Sequence, residues 1–338
     1  MFLNKEIKEL AKELGIEVRF VTAEPFVKEM VEMKKQRENN LFLNDEYWSD
    51  RNINEFCNPA NVLPGAKSII ISFLFYLTPD ELDPSTPGAP YGLVARYTQR
   101  NYYKELKKRL KKLAGVLKKR YEAKVAVYSC GPIAEKPIAQ RSGIGYYGNH
   151  SIIINPLYGS WIVLGEIITD LELEPDEPLK IECGKCQKCI DACPTKAIIE
   201  PYVIDRKKCI QSLTNYLDII PDDIARVWSN RIYGCTTCQD VCPVNKCIKP
   251  ELPKTEIGIV GAYLPLVDIL QMDEKTYRDK YANNQITARW INFEAIKRNA
   301  LIALGNIKDK KTIGLIKRFT NVSSKIISTT AIWALNQF

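Results

Sequence analysis

The chain reads as a layered α/β or α+β domain over residues 1–170, a compact cysteine-rich module over 171–250 and a helical unit over 251–338. Three observations predict this division. Helical and extended patterns alternate as far as about Asp170; eight of the eleven cysteines crowd between Cys183 and Cys242; and a helical motif recurs near the end. With 338 residues and 46% hydrophobic content, such a chain buries a sizeable core and does not need metal merely to fold.

In the first part, Asn4–Leu14 has the apolar spacing of an amphipathic helix, Glu17–Thr22 is extended and Glu24–Arg37 is again helical. The apolar run Ser68–Leu77 predicts a buried strand, and the Pro-rich stretch TPDELDPSTPGAP a loop. Over Lys104–Lys124 the residues Leu106, Leu110, Leu113, Leu117 and Tyr121 recur at helical spacing beneath a Lys/Arg face. A strand at Lys124–Tyr128, a short helix over Ile133–Arg141, a Gly-rich turn SGIGYYGN and apolar runs at Ser151–Ile154 and Ser160–Ile168 complete it. The acidic, Pro-interrupted LELEPDEPLK then reads as a linker. At the end, KRNALIALGN resembles STTAIWALNQ about thirty residues later, which suggests HEAT-like repeats.

The formal charge of +8 is modest, but the positive residues are concentrated in the basic helix and in a tail that includes Lys297, Arg298, Lys308, Lys310, Lys311, Lys317, Arg318 and Lys325. A solvated helix face accounts for either run alone; a polyanionic partner accounts for both together. The longest apolar run is about half of the roughly 20 residues that a spanning helix needs, and the N-terminus has no signal-peptide pattern. The expectation is a soluble protein of a reducing cytoplasm, with no membrane partner. An odd cysteine count argues against a closed disulfide framework, and the single histidine, His150, excludes His-rich zinc or iron sites and reads as a local polar contact.

Cys183, Cys186, Cys189 and Cys193, followed by Pro194, have the spacing C-x2-C-x2-C-x3-C-P of bacterial ferredoxins. Cys209 stands apart, and Cys235, Cys238 and Cys242 with Pro243 form a second set. In that ferredoxin arrangement the last cysteine of a run ligates the other cluster. One four-iron cluster therefore takes Cys183, Cys186, Cys189 and Cys242, and the other takes Cys193, Cys209, Cys235 and Cys238. A pair of zinc knots is the competing reading, but zinc needs neither the x3-C-P ending nor its doubling. Cys57, Cys130 and Cys247 are left over and read as small buried hydrophobes or inert thiols. Two such clusters move single electrons and perform no bond chemistry alone, so the first domain must bind a second cofactor or a partner. No dinucleotide fingerprint or P-loop is present.

The segments NPANVLPGAKSII, ARYTQRNYYKELKKRL, GPIAEKPIAQRSGIGYYGNHSIIINPLYGSWIVLGEIITD, CGKCQKCIDACPTKAIIEPYVIDRKKCI, NRIYGCTTCQDVCPVNK and KRNALIALGN follow one another along nearly the whole chain. In this order they resemble the epoxyqueuosine reductases, cobalamin-dependent iron-sulfur enzymes of tRNA queuosine synthesis. The resemblance implies a cobalamin bound without a histidine ligand between the first domain and the cluster module, with Arg96, Tyr97, Gln211 and Thr236 at cofactor-facing positions. It implies electrons from an external low-potential donor, removal of an epoxide oxygen as water, and a monomer whose basic helix and helical tail hold tRNA through its phosphates.

The same resemblance singles out departures. Ser129 occupies the position of the family's proton-donor aspartate, and a serine hydroxyl is far too weak an acid to take over that role directly. It would at most hold a water that donates the proton. Asn101, Tyr102 and Tyr103 replace an Asp-Tyr-His stretch, and Gln211 replaces a serine. Tyr128, Tyr102 and Tyr103 are the tyrosines that could supply the proton instead, with ordinary packing as the alternative for each. Two further readings stay open at this level. One is a paralogous corrinoid reductase or dehalogenase of a small molecule; the other is a non-catalytic electron carrier or activator for a corrinoid protein.

Overall fold

The structure, a computed structural model, describes residues 2–43 and 47–338. Its first layer is a four-stranded sheet in which Ser68–Phe75 and Ile162–Thr169 are the central strands, flanked by Val18–Thr22 and Val125–Tyr128. Every pairing is antiparallel, so the fold is α+β and the α/β alternative is set aside. Both central strands are buried along their whole length, which is why each reads as a continuous apolar run rather than an alternating one.

Helices Phe2–Glu13 and Tyr102–Tyr121 cover one face of this sheet through Ile7, Leu106, Leu110, Leu113 and Leu117, packed on Phe20 and Ile167. Helix Glu135–Arg141 helps to cover the other through Ile138 and Ala139 against Ile69, Ile71 and Ile168. The basic helix starts two residues earlier than its lysines suggest because Asn101 caps it. The Asn101 side chain accepts the Lys104 amide at 2.9 Å and donates to the Asn283 carbonyl at 2.5 Å. Ile153–Ile154 stays outside the main sheet and pairs only with Tyr146–Tyr147.

A second sheet joins distant parts of the sequence. Tyr91–Val94 runs parallel to Arg231–Tyr233, from the cysteine-rich segment, and antiparallel to Tyr263–Pro265, from the helical end. Gly92 at its centre is obligatory, since a Cβ there would lie 2.6 Å from Leu266 and 3.0 Å from Ile232. Behind this sheet, helices Phe293–Ile307 and Lys325–Leu335 pack through Ile296, Ala300, Leu304, Ile327 and Ala331 onto Val94 and Ile232. Among the described residues no helix is long and apolar enough to cross a membrane.

One residue of the basic tail leaves it. Arg298 is fully buried and donates to the carbonyls of Leu213 and Tyr216, both at 2.6 Å, and of Asp218 at 2.8 Å. Beside it, Asn299 donates to Thr214 and Ile232, both at 3.0 Å. The pair clamps the segment after Cys209 to the helical end, so Arg298 is unavailable to a polyanion. Replacing Arg298 by Met strands the buried Leu213 carbonyl and the part-buried carbonyls of Tyr216 and Asp218, and denaturant titration should show a loss of about 2 kcal/mol. A loss below about 0.5 kcal/mol, as for an ordinary surface position, would show that the clamp does not hold the module.

Candidate active site

The two cysteine runs fold into matching short pieces. Helix Lys188–Ala192 ends at Cys193, whose extended backbone leads into Pro194; helix Thr237–Asp240 is followed by Cys242, also extended, with Pro243 opening the next helix. Three of these thiols, Cys189, Cys209 and Cys238, are shifted by burial and by neighbouring thiols. Cys189 is raised to about 11 by burial, then by Cys183 and Cys186. Cys209 is raised by burial, then by Cys235 and Cys193 as the charged neighbours. Cys238 is raised well above its ordinary value by burial, then by Cys235, Cys209 and Cys193. Tyr146 feels both Cys183 and Cys242.

Cys189 thus neighbours Cys183 and Cys186, while Cys193, Cys209, Cys235 and Cys238 neighbour one another and Cys238 also feels Cys189, so the two runs converge on one region. Thiolates so crowded can ionise together only around positive charge. Among the described residues no three side chains converge on a single-ion position; a cubane asks instead for four thiolates, one on each iron. The Ala197 amide donates to Cys193 Sγ at 3.2 Å, the kind of contact that tunes a cluster's potential.

A cavity of about 450 Å³ opens against the second set. Cys193, Cys209, Cys235 and Cys238 line it together with Tyr76, Tyr103, Lys136 and His150. Tyr97 and Gln211 meet in this lining, with the Gln211 amide donating to the Tyr97 hydroxyl at 3.2 Å. Burial raises the Tyr76, Tyr97 and Tyr103 hydroxyls, so all three stay protonated. The walls are fastened by a buried knot: Gln239 donates to the Tyr76 hydroxyl at 2.9 Å and to Ser160 Oγ at 3.0 Å, while Asn245 donates to Ser160 Oγ at 2.7 Å.

The sequence-predicted positions distribute unevenly around this cavity. Tyr97, Gln211 and Tyr103 line it. Arg96 and Thr236 line a separate cavity of about 130 Å³, where Arg96 pairs with Asp80 and Thr236 donates to Asp240 at 2.9 Å. Tyr102 is in the core, where burial lifts its hydroxyl to about 12. Tyr128 lies beneath the Lys107 ammonium, 5.2 Å from its ring centre. The Ser129 hydroxyl donates to the Leu164 carbonyl at 2.6 Å and ties two strands together.

Lys136, Glu135 and Glu166 escaped the sequence reading, whereas His150 reads there as a local polar contact. His150 is buried; its Nδ1 accepts the Ile152 amide at 3.2 Å, and Nε2 has no partner among the described residues. Lys136 reaches the Ser151 carbonyl at 2.7 Å. Glu166 is fully buried within Ile162–Thr169, and no donor among the described residues reaches either of its oxygens. The carboxyl of Glu135 faces it. A charged residue inside the run WIVLGEIIT was the visible signal for this pair.

Comparison with known proteins sorts these observations. Residues 182–245 match the 4Fe-4S double cluster binding domain, and residues 57–130 match the family described as epoxyqueuosine reductase QueG, DUF1730. The epoxyqueuosine reductase of Bacillus cereus is 33% identical, over 99% of this chain and 89% of its own length. The chain belongs to the epoxyqueuosine reductase family. That of Escherichia coli is 32% identical over 82% of this chain and 75% of its own. A crystal structure of an epoxyqueuosine reductase with an epoxyqueuosine-modified tRNA-Tyr stem loop superposes with a TM-score of 0.89 at 30% identity, covering 99% of this chain and 90% of that one. A Bacillus subtilis epoxyqueuosine reductase, with its catalytic aspartate loop swung out of the active site, superposes with a TM-score of 0.87 at 31% identity, covering 99% and 90%. The family, the oxidoreductase class and the double-cluster module expected from the cysteine spacing are therefore established.

Two outcomes follow. Cys209→Ser removes a ligand from one set only, so iron and sulfide per chain should fall to about half; complete loss of both clusters would contradict two separate sets. Burial and the facing charge raise Glu166 well above 4.5, and burial raises Glu135 to about 7. Raised carboxyls stabilise the fold fully below about pH 4.5, and that contribution is lost as pH rises through about 7. The denaturation midpoint should decline across that window, and Glu166→Gln should flatten the decline.

Proposed function

We propose that this chain reduces epoxyqueuosine in tRNA to queuosine, drawing electrons from an external low-potential donor through its two clusters. The observation that carries this reading is the shared cavity. The thiols of one cluster set and the tyrosines of the first domain line the same cavity, so an acceptor bound there is in contact with the electron supply. The whole-length likeness to an enzyme solved with its modified tRNA stem loop supports the same substrate.

The cavity, at about 450 Å³, is smaller than a whole cobalamin and would take one part of it beside the cluster thiols, with the uncharged donors Tyr76, Tyr97, Tyr103 and Gln211 in its lining. Tyr97 and Gln211 would hold it, and Tyr103 with Tyr76 would close the first-domain side. When bound, cobalamin supplies the strong two-electron reductant that the carbon–oxygen bond requires. This chain's own residues bind, exclude water and hold protons. The buried knot of Gln239, Asn245 and Ser160 keeps the wall fixed during turnover.

Substrate binding falls to the basic helix and the helical end, which we read as HEAT-like repeats. Lys104, Lys108, Lys111, Lys112, Lys118 and Lys119 are exposed along the helix, with its leucines buried beneath. Phosphate contacts of this kind position the nucleic acid without reading sequence. The reading places a monomer in the cytoplasm, where tRNA and reducing conditions coincide.

Anaerobically reconstituted protein with both clusters, cobalamin, a low-potential reductant and epoxyqueuosine-containing tRNA should form queuosine. Full cofactor loading with no queuosine would reject the substrate. Charge removal at Lys111, Lys112 and Lys118 should weaken tRNA binding and flatten its salt dependence by about 0.9 in logarithmic slope for each phosphate no longer neutralised. An unchanged slope would move the tRNA surface elsewhere.

A further inference from the structure

The reduction consumes protons. An epoxide, two electrons and two protons give an alkene and water: both carbon–oxygen bonds break, and the oxygen leaves carrying the two protons. The electrons come from the donor through the clusters. Something near the cavity must hold a proton at neutral pH, and Ser129, whose hydroxyl is committed to the Leu164 carbonyl, does not.

We propose that the buried carboxyl pair Glu135–Glu166 stores this proton and passes it to the cavity through Tyr103. The inference rests on the epoxyqueuosine reading above. Its geometric basis is a contact between two acceptors. Glu166 is fully buried, with no donor on either oxygen among the described residues, and faces the carboxyl of Glu135. Two carboxyls in contact form a hydrogen bond only if one of them keeps its proton.

The pair sits at the right place. Glu166 stands opposite Tyr128 in the sheet register, one residue before Ser129. Glu135 Oε1 accepts the amides of Cys130 and Gly131, so it is fastened to the loop that follows Ser129. Tyr103 lines the cavity and lies in the field of both Cys130 and Glu135. The other charged groups facing the pair are Lys107, on the basic helix, and Lys136, next in sequence to Glu135.

Tyr103 is a poor acid alone, because burial raises its hydroxyl. As a relay it gives one proton to the departing oxygen while taking the proton of Glu135, and no free tyrosinate forms. Solvent supplies the second proton and later reloads the pair. Burial raises Glu135 to about 7 and Glu166 well above the ordinary range, so the pair still holds a proton near neutral pH and empties as pH rises.

Infrared titration of the native protein tests the store without any variant. A protonated-carboxyl band should persist at neutral pH and vanish in Glu166→Gln; no such band near pH 7 overturns the proposal. With loaded enzyme and modified tRNA, Glu135→Gln and Glu166→Gln should lower kcat on the order of 10²-fold with little change in KM. Both should also abolish the alkaline fall of the rate that passes through the pair. Glu166→Asp, which keeps an acid, should recover part of the rate. Tyr103→Phe should lower kcat yet leave the infrared band intact. Native turnover with an unaltered rate and pH profile in both Gln variants overturns the pair alone. A native protein that loads its cofactors and never turns over sinks the substrate reading itself.

Discussion

Ser160, Gln239 and Asn245 form the hydrogen-bonded knot on which the rest of the structure depends. The Ser160 amide donates to Asn245 Oδ1 at 2.8 Å, and its hydroxyl accepts from both amide side chains. Asn245 also donates to the Gln239 carbonyl at 2.8 Å. Gly159 precedes Ser160 with a positive φ, and a Cβ there would strike Asn245. All three side chains are buried, so breaking any one bond leaves a polar group without water. This is a stiff join between two parts of the chain that both line one cavity.

A second join works by interleaving. The strand Tyr91–Val94 departs from the first domain and is held between strands from the cysteine-rich and helical segments, while Arg298 and Asn299 grip the backbone beyond Cys209 from the other side. The cysteine-rich segment is thus held from two directions. A redox site benefits from such stiffness, because electron transfer is favoured where little reorganises.

Charge is handled differently on the two sides of the cavity. On the cluster side, thiols gather where only metal can offset their mutual repulsion. On the first-domain side, a glutamate lies in the middle of an otherwise apolar strand with a second carboxyl against it. An apolar residue at Glu166 would pack there with no desolvation cost. The cost is tolerated beside the loop that follows Ser129, whose Cys130 and Gly131 amides donate to Glu135.

The amino-acid sequence by itself determined whatever depends on local spacing. Its periodicities located the helices and both central strands of the first domain, and its cysteine intervals announced the double-cluster module that residues 182–245 match, because neighbouring ligands must wrap one cube at short range. Tertiary structure alone decided strand direction, since a fully buried strand has the same apolar pattern whichever way its neighbours run. It also decided that Arg298 is a buried clamp and not a tail cation, that Arg96 and Thr236 line a different cavity from Tyr97 and Gln211, and that Glu135 meets Glu166. Each of these turns on which side chains from distant segments share a volume closed to water, and one-dimensional spacing does not encode that distance.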